Sequence, residues 1–198
     1  MAPMRVDPDK VREFVDFQSF YDWLAEHHAT ADEIWIRIYK KGSGRPSITA
    51  TQAIEAELCW GWVDGIRKGL DTESFLQRYT PRRPRSVWSR INRDHVERLS
   101  AAGLMRPPGQ IEVDRAKADG RWEAAYSVSQ SEPPPDLMAA IEADPEAAAF
   151  YRRLSSQNRF ALTFRILALK TEAGRDKAVK RFTEMLRRGE TIYPQARK

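Results

Sequence analysis

Seven arginines crowd one segment of this chain: Arg78, Arg82, Arg83, Arg85, Arg90, Arg93 and Arg98, opposed there only by Asp94 and Glu97. That stretch carries a net charge of +5, equal to the formal charge of the whole 198-residue chain, so the rest is neutral. A localised basic stripe suits phosphate, a glycan, a lipid head group or carboxylates from elsewhere in the same fold. Its most distinctive part runs Thr80-Pro81-Arg82-Arg83-Pro84-Arg85-Ser86-Val87-Trp88-Ser89-Arg90-Ile91-Asn92. The prolines stiffen it, which lowers the entropy lost when its arginines are ordered. Trp88 lies among cations and suits stacking on a guanidinium or a base. Ser86, Ser89 and Asn92 add hydrogen-bonding groups near a helix N-terminus, which attracts anions. Arg82, Arg83, Arg85, Trp88, Ser89, Arg90 and Asn92 are therefore the candidate anion- or partner-binding residues. The competing reading is a structural corner whose arginines meet carboxylates inside the protein.

A second constellation is Cys59-Trp60-Gly61-Trp62-Val63-Asp64-Gly65. Two indoles around one glycine suit the wall of a pocket, with Asp64 to orient a polar ligand. Trp60, Trp62 and Asp64 are the pocket candidates. A helix-to-strand corner, with the indoles as packing bodies, explains the same residues. Cys59 follows Leu58 at the apolar end of a helix, the setting of a buried inert thiol. A nucleophilic pair would require it to meet His95 in space. His27 and His28 are adjacent near a helix C-terminus, which favours imidazolium over metal ligation. No set of three or four ligands at metal spacing accompanies Cys59. There is no Gly-Lys-Ser/Thr phosphate loop and no Gly-x-Ser-x-Gly elbow, and Gly61, Gly65 and Gly69 do not match a dinucleotide fingerprint. No catalytic residue, metal or cofactor is assigned.

The elements that must hold these residues follow from periodicity. Phe20, Trp23, Leu24 and His27 share one helical face, with Ser19 the expected N-cap. Ile34, Ile36 and Ile38 alternate with Trp35, Arg37 and Tyr39 as in a strand. Thr49 and Gln52 have capping-box spacing, and Gly61 is placed to stop the helix that follows. Residues Trp62–Asp71 and Ser74–Thr80 read as an antiparallel hairpin, with Gly65 and Gly69 marking a bulge or turn. Ser89 caps a helix with Ile91, His95, Val96, Leu99 and Ala102 inward. Pro107-Pro108-Gly109 breaks the chain before a helix from Gln110 to Asp119. Beyond it, Asp144-Pro145 starts a helix with Phe150, Tyr151 and Leu154 inward. Phe160, Phe164 and Leu167 form the next stripe, and Val179, Phe182 and Leu186 another, ended by Gly189.

The expected class is α+β: a small antiparallel sheet with packed helices, followed by a helical C-terminal unit. The expected divisions are a loosely held N-terminus at 1–14, an α+β unit at 15–126, a Pro-rich linker at 127–134, a helical unit at 135–190 and a tail at 191–198. At 41% hydrophobic and 31% charged, the composition is globular. One cysteine permits no internal disulfide. No apolar run approaches the roughly 20 residues of a membrane span, and the first fourteen residues lack a signal peptide's apolar stretch. The cytoplasm is the expected compartment.

The sequence resembles the bacterial YdeI/OmpD-associated proteins, also called bacteriocin-protection proteins. The likeness rests on Leu58-Cys59-Trp60-Gly61-Trp62-Val63-Asp64-Gly65, on Tyr79 to Ser89 with Asn92, and on Gly103-Leu104-Met105 with Pro107 and Gly109. It continues through Ala116-Lys117-Ala118-Asp119-Gly120-Arg121-Trp122 to Asn158-Arg159-Phe160. It spans Phe17 to Gly189 and departs from the pattern at Glu172-Ala173-Gly174-Arg175, where a Glu-Thr-Arg run is expected; Trp60 stands where Phe is frequent. The resemblance implies protection against bacteriocins or cationic antimicrobial peptides, with no catalytic residues or cofactor. A +5 stripe repels a cationic peptide, so the expected action is indirect. It is that of a non-catalytic stress-protection protein binding an anionic partner (nucleic acid, a phosphate-bearing ligand or an acidic protein surface). One alternative is a nucleic-acid-binding module that stacks bases on Trp88 and Tyr79. The other is an enzyme with a small-molecule pocket at Trp62 and Asp64.

Overall fold

The computed structural model describes residues 5–126, 132–169 and 171–195. The chain divides into two units, Met1–Tyr126 and Ser127–Lys198. Most of the expected Pro-rich linker, 127–131, lies outside the described residues.

The first unit is built on a four-stranded sheet of order β1-β2-β4-β3, formed by β1 (Val11–Arg12), β2 (Ile34–Tyr39), β3 (Trp62–Gly69) and β4 (Ser74–Pro81). The expected antiparallel sheet is corrected to a mixed one: β2, β4 and β3 are antiparallel, but β1 pairs parallel with β2, Val11 opposite Trp35. The stretch expected to be loosely held thus supplies an edge strand, two residues long and too short to show an alternation. Ile34, Ile36 and Ile38 are buried as expected, and Trp35 and Tyr39 on the opposite face are buried too. The hairpin of β3 and β4 carries a register shift between Asp64 and Arg67, where Gly65 predicted a bulge.

Among the described residues of this unit four α-helices pack: α1 (Phe17–His27), α2 (Ala50–Cys59), α3 (Arg90–Ala101) and α4 (Pro107–Ala118). Helix α1 is capped by Asp16, not by Ser19; Ser19 sits three residues on and closes a capping box with it. Helix α2 has the predicted box, Thr49 with Gln52. Helix α4 starts at Pro107, earlier than expected, because proline is tolerated in the first turn where no intrahelical donor is needed. Gly109 lets α4 meet the end of α2. A Cβ there would lie 2.3 Å from the Cys59 carbonyl oxygen and 2.6 Å from that of Leu58. The core joins Phe20, Leu24, Ile36, Leu58, Trp62, Tyr79, Trp88, Leu99, Val113 and Trp122.

The second unit holds α5 (Pro135–Glu142), α6 (Pro145–Arg152), α7 (Ser156–Leu167) and α8 (Glu172–Arg187). Asp144 caps α6 with Pro145 in the first turn, as predicted. In α7 the inward face is Ala161, Leu162 and Ile166, while Leu167 is exposed, so the expected stripe is off by part of a turn. Val179, Phe182 and Leu186 are buried in α8. Thr171 caps that helix through the Gly174 amide, and Arg175 pairs with Asp136 at 2.5 Å, so Glu172-Ala173-Gly174-Arg175 forms a regular first turn. No helix among the described residues is long and apolar enough to cross a membrane.

Candidate functional site

The α2–β3 corner and the Arg-Pro loop lie side by side. Gly61 makes the corner at φ +75°, a left-handed conformation that glycine adopts without strain. A Cβ at this position would lie 2.8 Å from the Pro108 carbonyl oxygen. The Arg82 amide donates to the Gly61 carbonyl at 3.0 Å and joins the end of β4 to that corner.

Arg82 turns inward and is 7% exposed. Its Nε donates to the Trp62 carbonyl at 3.1 Å and its Nη1 to the Val87 carbonyl at 3.3 Å, and its guanidinium lies 3.8 Å from the Trp88 ring centroid. Trp88 is buried and packs edge-on against Trp122 at 5.0 Å. The expectation that Trp88 and Tyr79 stack on bases is thereby corrected, since both rings are core. The loop is fixed from outside as well. Ser86 closes a turn with Arg83, and Arg121 Nη1 donates to the Ser86 carbonyl at 2.8 Å. The Tyr126 amide donates to the Trp88 carbonyl, and the Arg90 amide to the Tyr126 carbonyl.

The basic stripe therefore separates by role. Arg78 pairs with Glu33 at 2.5 Å and Arg98 with Glu55 at 2.6 Å, while Arg93 donates to the Trp122 carbonyl at 2.8 Å. Ser89 Oγ accepts the Asn92 amide and caps α3, so these two residues serve the helix start. Ile91, expected inward, is 61% exposed, and Val87 beside it in the loop is 54% exposed. Arg83, Arg85 and Arg90 are exposed. The guanidinium groups of Arg83 and Arg85 have no ion pair or hydrogen bond among the described residues.

Beneath the loop lies a cluster that sequence reasoning missed. Glu57, in the last turn of α2, is 0% exposed. Neither of its carboxyl oxygens has a hydrogen-bond partner among the described residues. Burial, reinforced by the Asp64 charge, pushes its pKa well above 4.5 against the pull of Arg82. Asp64 is exposed as a residue, yet crowding on its inner side raises its pKa too. The Tyr79 hydroxyl is buried without a partner among the described residues, and burial raises its pKa. A guanidinium is not deprotonated in proteins, so Arg82 supplies the fixed positive charge. The signal for Glu57 was its position four residues after Ala53, on the inward face of α2.

On the other side of the corner, His28, Trp60, Gly61, Trp62, Pro81, Arg82, Pro108, Ile111 and Glu112 surround an open groove of about 260 Å³. Trp60 and Trp62, two of the pocket candidates, both line this groove, and Asp64, the third, does not. Trp62 Nε1 donates to the His28 carbonyl at 3.2 Å. Trp60 Nε1, Arg82 Nη2 and Glu112 Oε2 are each buried without a hydrogen-bond partner among the described residues. Unsatisfied buried groups of this kind cost roughly 1–3 kcal/mol each.

The nucleophilic reading of Cys59 has no support in this geometry. Burial pushes its pKa up to about 12, so it is a thiol at neutral pH. His95 Nδ1 lies 2.8 Å from Arg98 Nη2 and 3.3 Å from Glu55. Among the described residues no group of three side chains is placed to hold a metal ion.

Comparison with known proteins gives two family matches. Residues 12–112 match a family described as Domain of unknown function (DUF8412). Residues 130–189 match the family Bacteriocin-protection, YdeI or OmpD-Associated. No curated protein and no solved structure matches the chain. The resemblance read from the sequence is supported, but in the helical unit, where it quoted only Asn158-Arg159-Phe160. The Trp-Val-Asp corner and the Arg-Pro loop fall within the first match. That match covers just over half of the residues: the chain belongs to the DUF8412 domain family and carries, in its helical unit, a segment of the YdeI/OmpD-associated, bacteriocin-protection type.

Proposed function

We propose that this is a non-catalytic, cytoplasmic stress-protection protein of the bacteriocin-protection type, and that it engages an anionic partner through Arg83 and Arg85. The supporting observation is the division of labour in the Arg-Pro loop. Arg82 and Trp88 hold the loop from within and Arg121 from outside, so Arg83 and Arg85 are presented to solvent on a prefixed backbone. Ordering those two side chains then costs little beyond their own rotamer entropy. Val87 and Ile91, close by in the chain, are exposed apolar residues.

The test is titration of the full chain with a labelled single-stranded oligonucleotide and with a poly-glutamate peptide over a salt series. The Arg83→Ala/Arg85→Ala double variant runs in parallel. Binding to either polyanion should weaken with salt and be lost in the folded double variant. For the oligonucleotide, loss of two phosphate contacts lowers the log–log salt slope by about 1.4. Equal binding by wild type and double variant, or no binding of either polyanion, rejects the proposal.

A further inference from the structure

In the helical unit, the C-terminal end of α7 presents an apolar knuckle to solvent. Leu167, Ala168 and Leu169 are exposed in succession, the two leucines by 56% and 39%. Their backbone is fixed: the Ala168 amide donates to the Phe164 carbonyl at 3.1 Å and the Leu169 amide to the Ile166 carbonyl at 3.0 Å. Three consecutive exposed apolar residues are a solubility liability unless they make a contact. Cations border this knuckle. Leu169 lines a groove of about 290 Å³ together with Gly174, Lys177, Ala178 and Arg181 of α8. Lys177 and Arg181 stand four residues apart on one face of that helix, both exposed, and neither makes an ion pair among the described residues. Arg165, three residues before Ala168, adds a third exposed cation on that side of α7. Its guanidinium lies 5.9 Å from the ring centroid of Tyr193, itself exposed. Glu172 and Asp176, the acidic residues at the start of α8, do not line the groove, and Asp176 lies in the field of Arg175.

We propose that this knuckle and its flanking cations dock the helical unit on an anionic lipid bilayer. The two leucines enter the boundary between head groups and acyl chains, while the long cationic side chains reach the lipid phosphates. Charge complementarity selects an anionic surface, and the exposed leucines select a bilayer among anionic surfaces. A soluble polyanion would use the cations and leave Leu167 and Leu169 in water. No helix among the described residues is long and apolar enough to cross a membrane, so the contact is peripheral. The cationic part is screened by salt and the leucine part is not. The two parts therefore separate experimentally. The surface is also separate in sequence from Arg83 and Arg85, so neither proposal depends on the other.

The test is co-sedimentation of the full chain with vesicles of phosphatidylglycerol and phosphatidylethanolamine, with phosphatidylcholine vesicles as the neutral control. All substituted positions are exposed, and circular dichroism checks the fold of each variant. The expected result is binding to the anionic vesicles alone, weakening as salt rises. Lys177→Gln/Arg181→Gln should weaken it about thirtyfold, from two cations at the leaflet. Leu167→Ser/Leu169→Ser should weaken it about tenfold or more, and Arg83→Ala/Arg85→Ala should leave most of it. In bicelles, a nitroxide-labelled lipid should broaden the methyl signals of Leu167 and Leu169. Absence of binding to the anionic vesicles overturns the proposal. So does binding that Arg83→Ala/Arg85→Ala abolishes while both helical-unit variants retain it, which would place the lipid contact at the Arg-Pro loop. Loss with the charge change and none with the leucine change also overturns it, and makes the patch a site for a soluble polyanion.

Discussion

Replacing Glu57 with glutamine tests the reading of the buried cluster most directly. Glu57 is fully buried and its carboxyl pKa is raised well above 4.5 by burial. An acid whose folded pKa is raised favours the folded state fully only below its unfolded pKa. As pH rises past 4.5 the unfolded chain releases the proton while the folded chain keeps it, and stability falls. Each pH unit in that interval removes up to about 1.4 kcal/mol, until the folded carboxyl itself ionises and the loss levels off. In Glu57→Gln this dependence is absent. The stability difference, variant minus wild type, should therefore grow from pH 4.5 upward at up to that slope. The offset between the two proteins depends on how the amide finds partners, so the slope is the diagnostic quantity. All six tryptophans lie in the first unit, and urea denaturation followed by their fluorescence reports on it alone. The surface carboxylates far from Glu57 titrate equally in both proteins and cancel. A difference that stays constant between pH 4.5 and 8 would refute the reasoning, since Glu57 would then ionise as freely folded as unfolded.

Other consequences are as direct. Gly109→Ala places a methyl group 2.3 Å from the Cys59 carbonyl oxygen, so α4 must move off α2; a loss of about 1–3 kcal/mol is expected, seen as a fall in Tm. Arg82→Ala strips the Arg-Pro loop of its anchor and should destabilise by about 3 kcal/mol, whereas Arg83→Ala and Arg85→Ala stay within about 0.5 kcal/mol of wild type by urea denaturation. Cys59 should resist an aromatic disulfide reagent at pH 8 in the folded protein and react only on unfolding, because the thiol is buried with a pKa near 12. Arg175 holds the Asp136 carboxyl down to about 2. Their contribution to the helical unit is present above pH 3.8 and is lost as pH falls toward 2, and Arg175→Ala should remove that pH dependence in helix melts by circular dichroism.

What the sequence shows clearly here is what neighbours along the chain decide. The Thr49–Gln52 box, Asp144 before Pro145, the β2 alternation and the Gly61 stop each depend on a few consecutive residues, and each stands as read. Tertiary partners decide the rest. Ile91 is apolar and helical, yet it is exposed among the described residues, and no pattern along the chain signals that. Trp88 reads as a stacking platform until Trp122 and Arg82 are seen to enclose it. Glu57 has the polarity of a surface residue and the spacing of a core one, and the spacing prevails. In the groove, Trp60 and Trp62 are legible as a pair, whereas Pro108, Ile111, Glu112 and His28 arrive from distant segments with no pattern linking them.

The way the first unit closes has a consequence for its biogenesis. Its last residues complete its interior: Trp122 covers Trp88, and Tyr126 bridges to Ser89 through backbone hydrogen bonds on both sides. Tyr21, near the start, donates to the Leu104 carbonyl and accepts from Arg106, more than eighty positions away. A nascent chain that has emerged only as far as Ala118 has made its sheet residues and its Arg-Pro loop but lacks the indole that seals them. Translation must therefore deliver the whole unit before its arginine loop is set, and any shortened product ending before Trp122 presents bare aromatic surface to the cell's quality control.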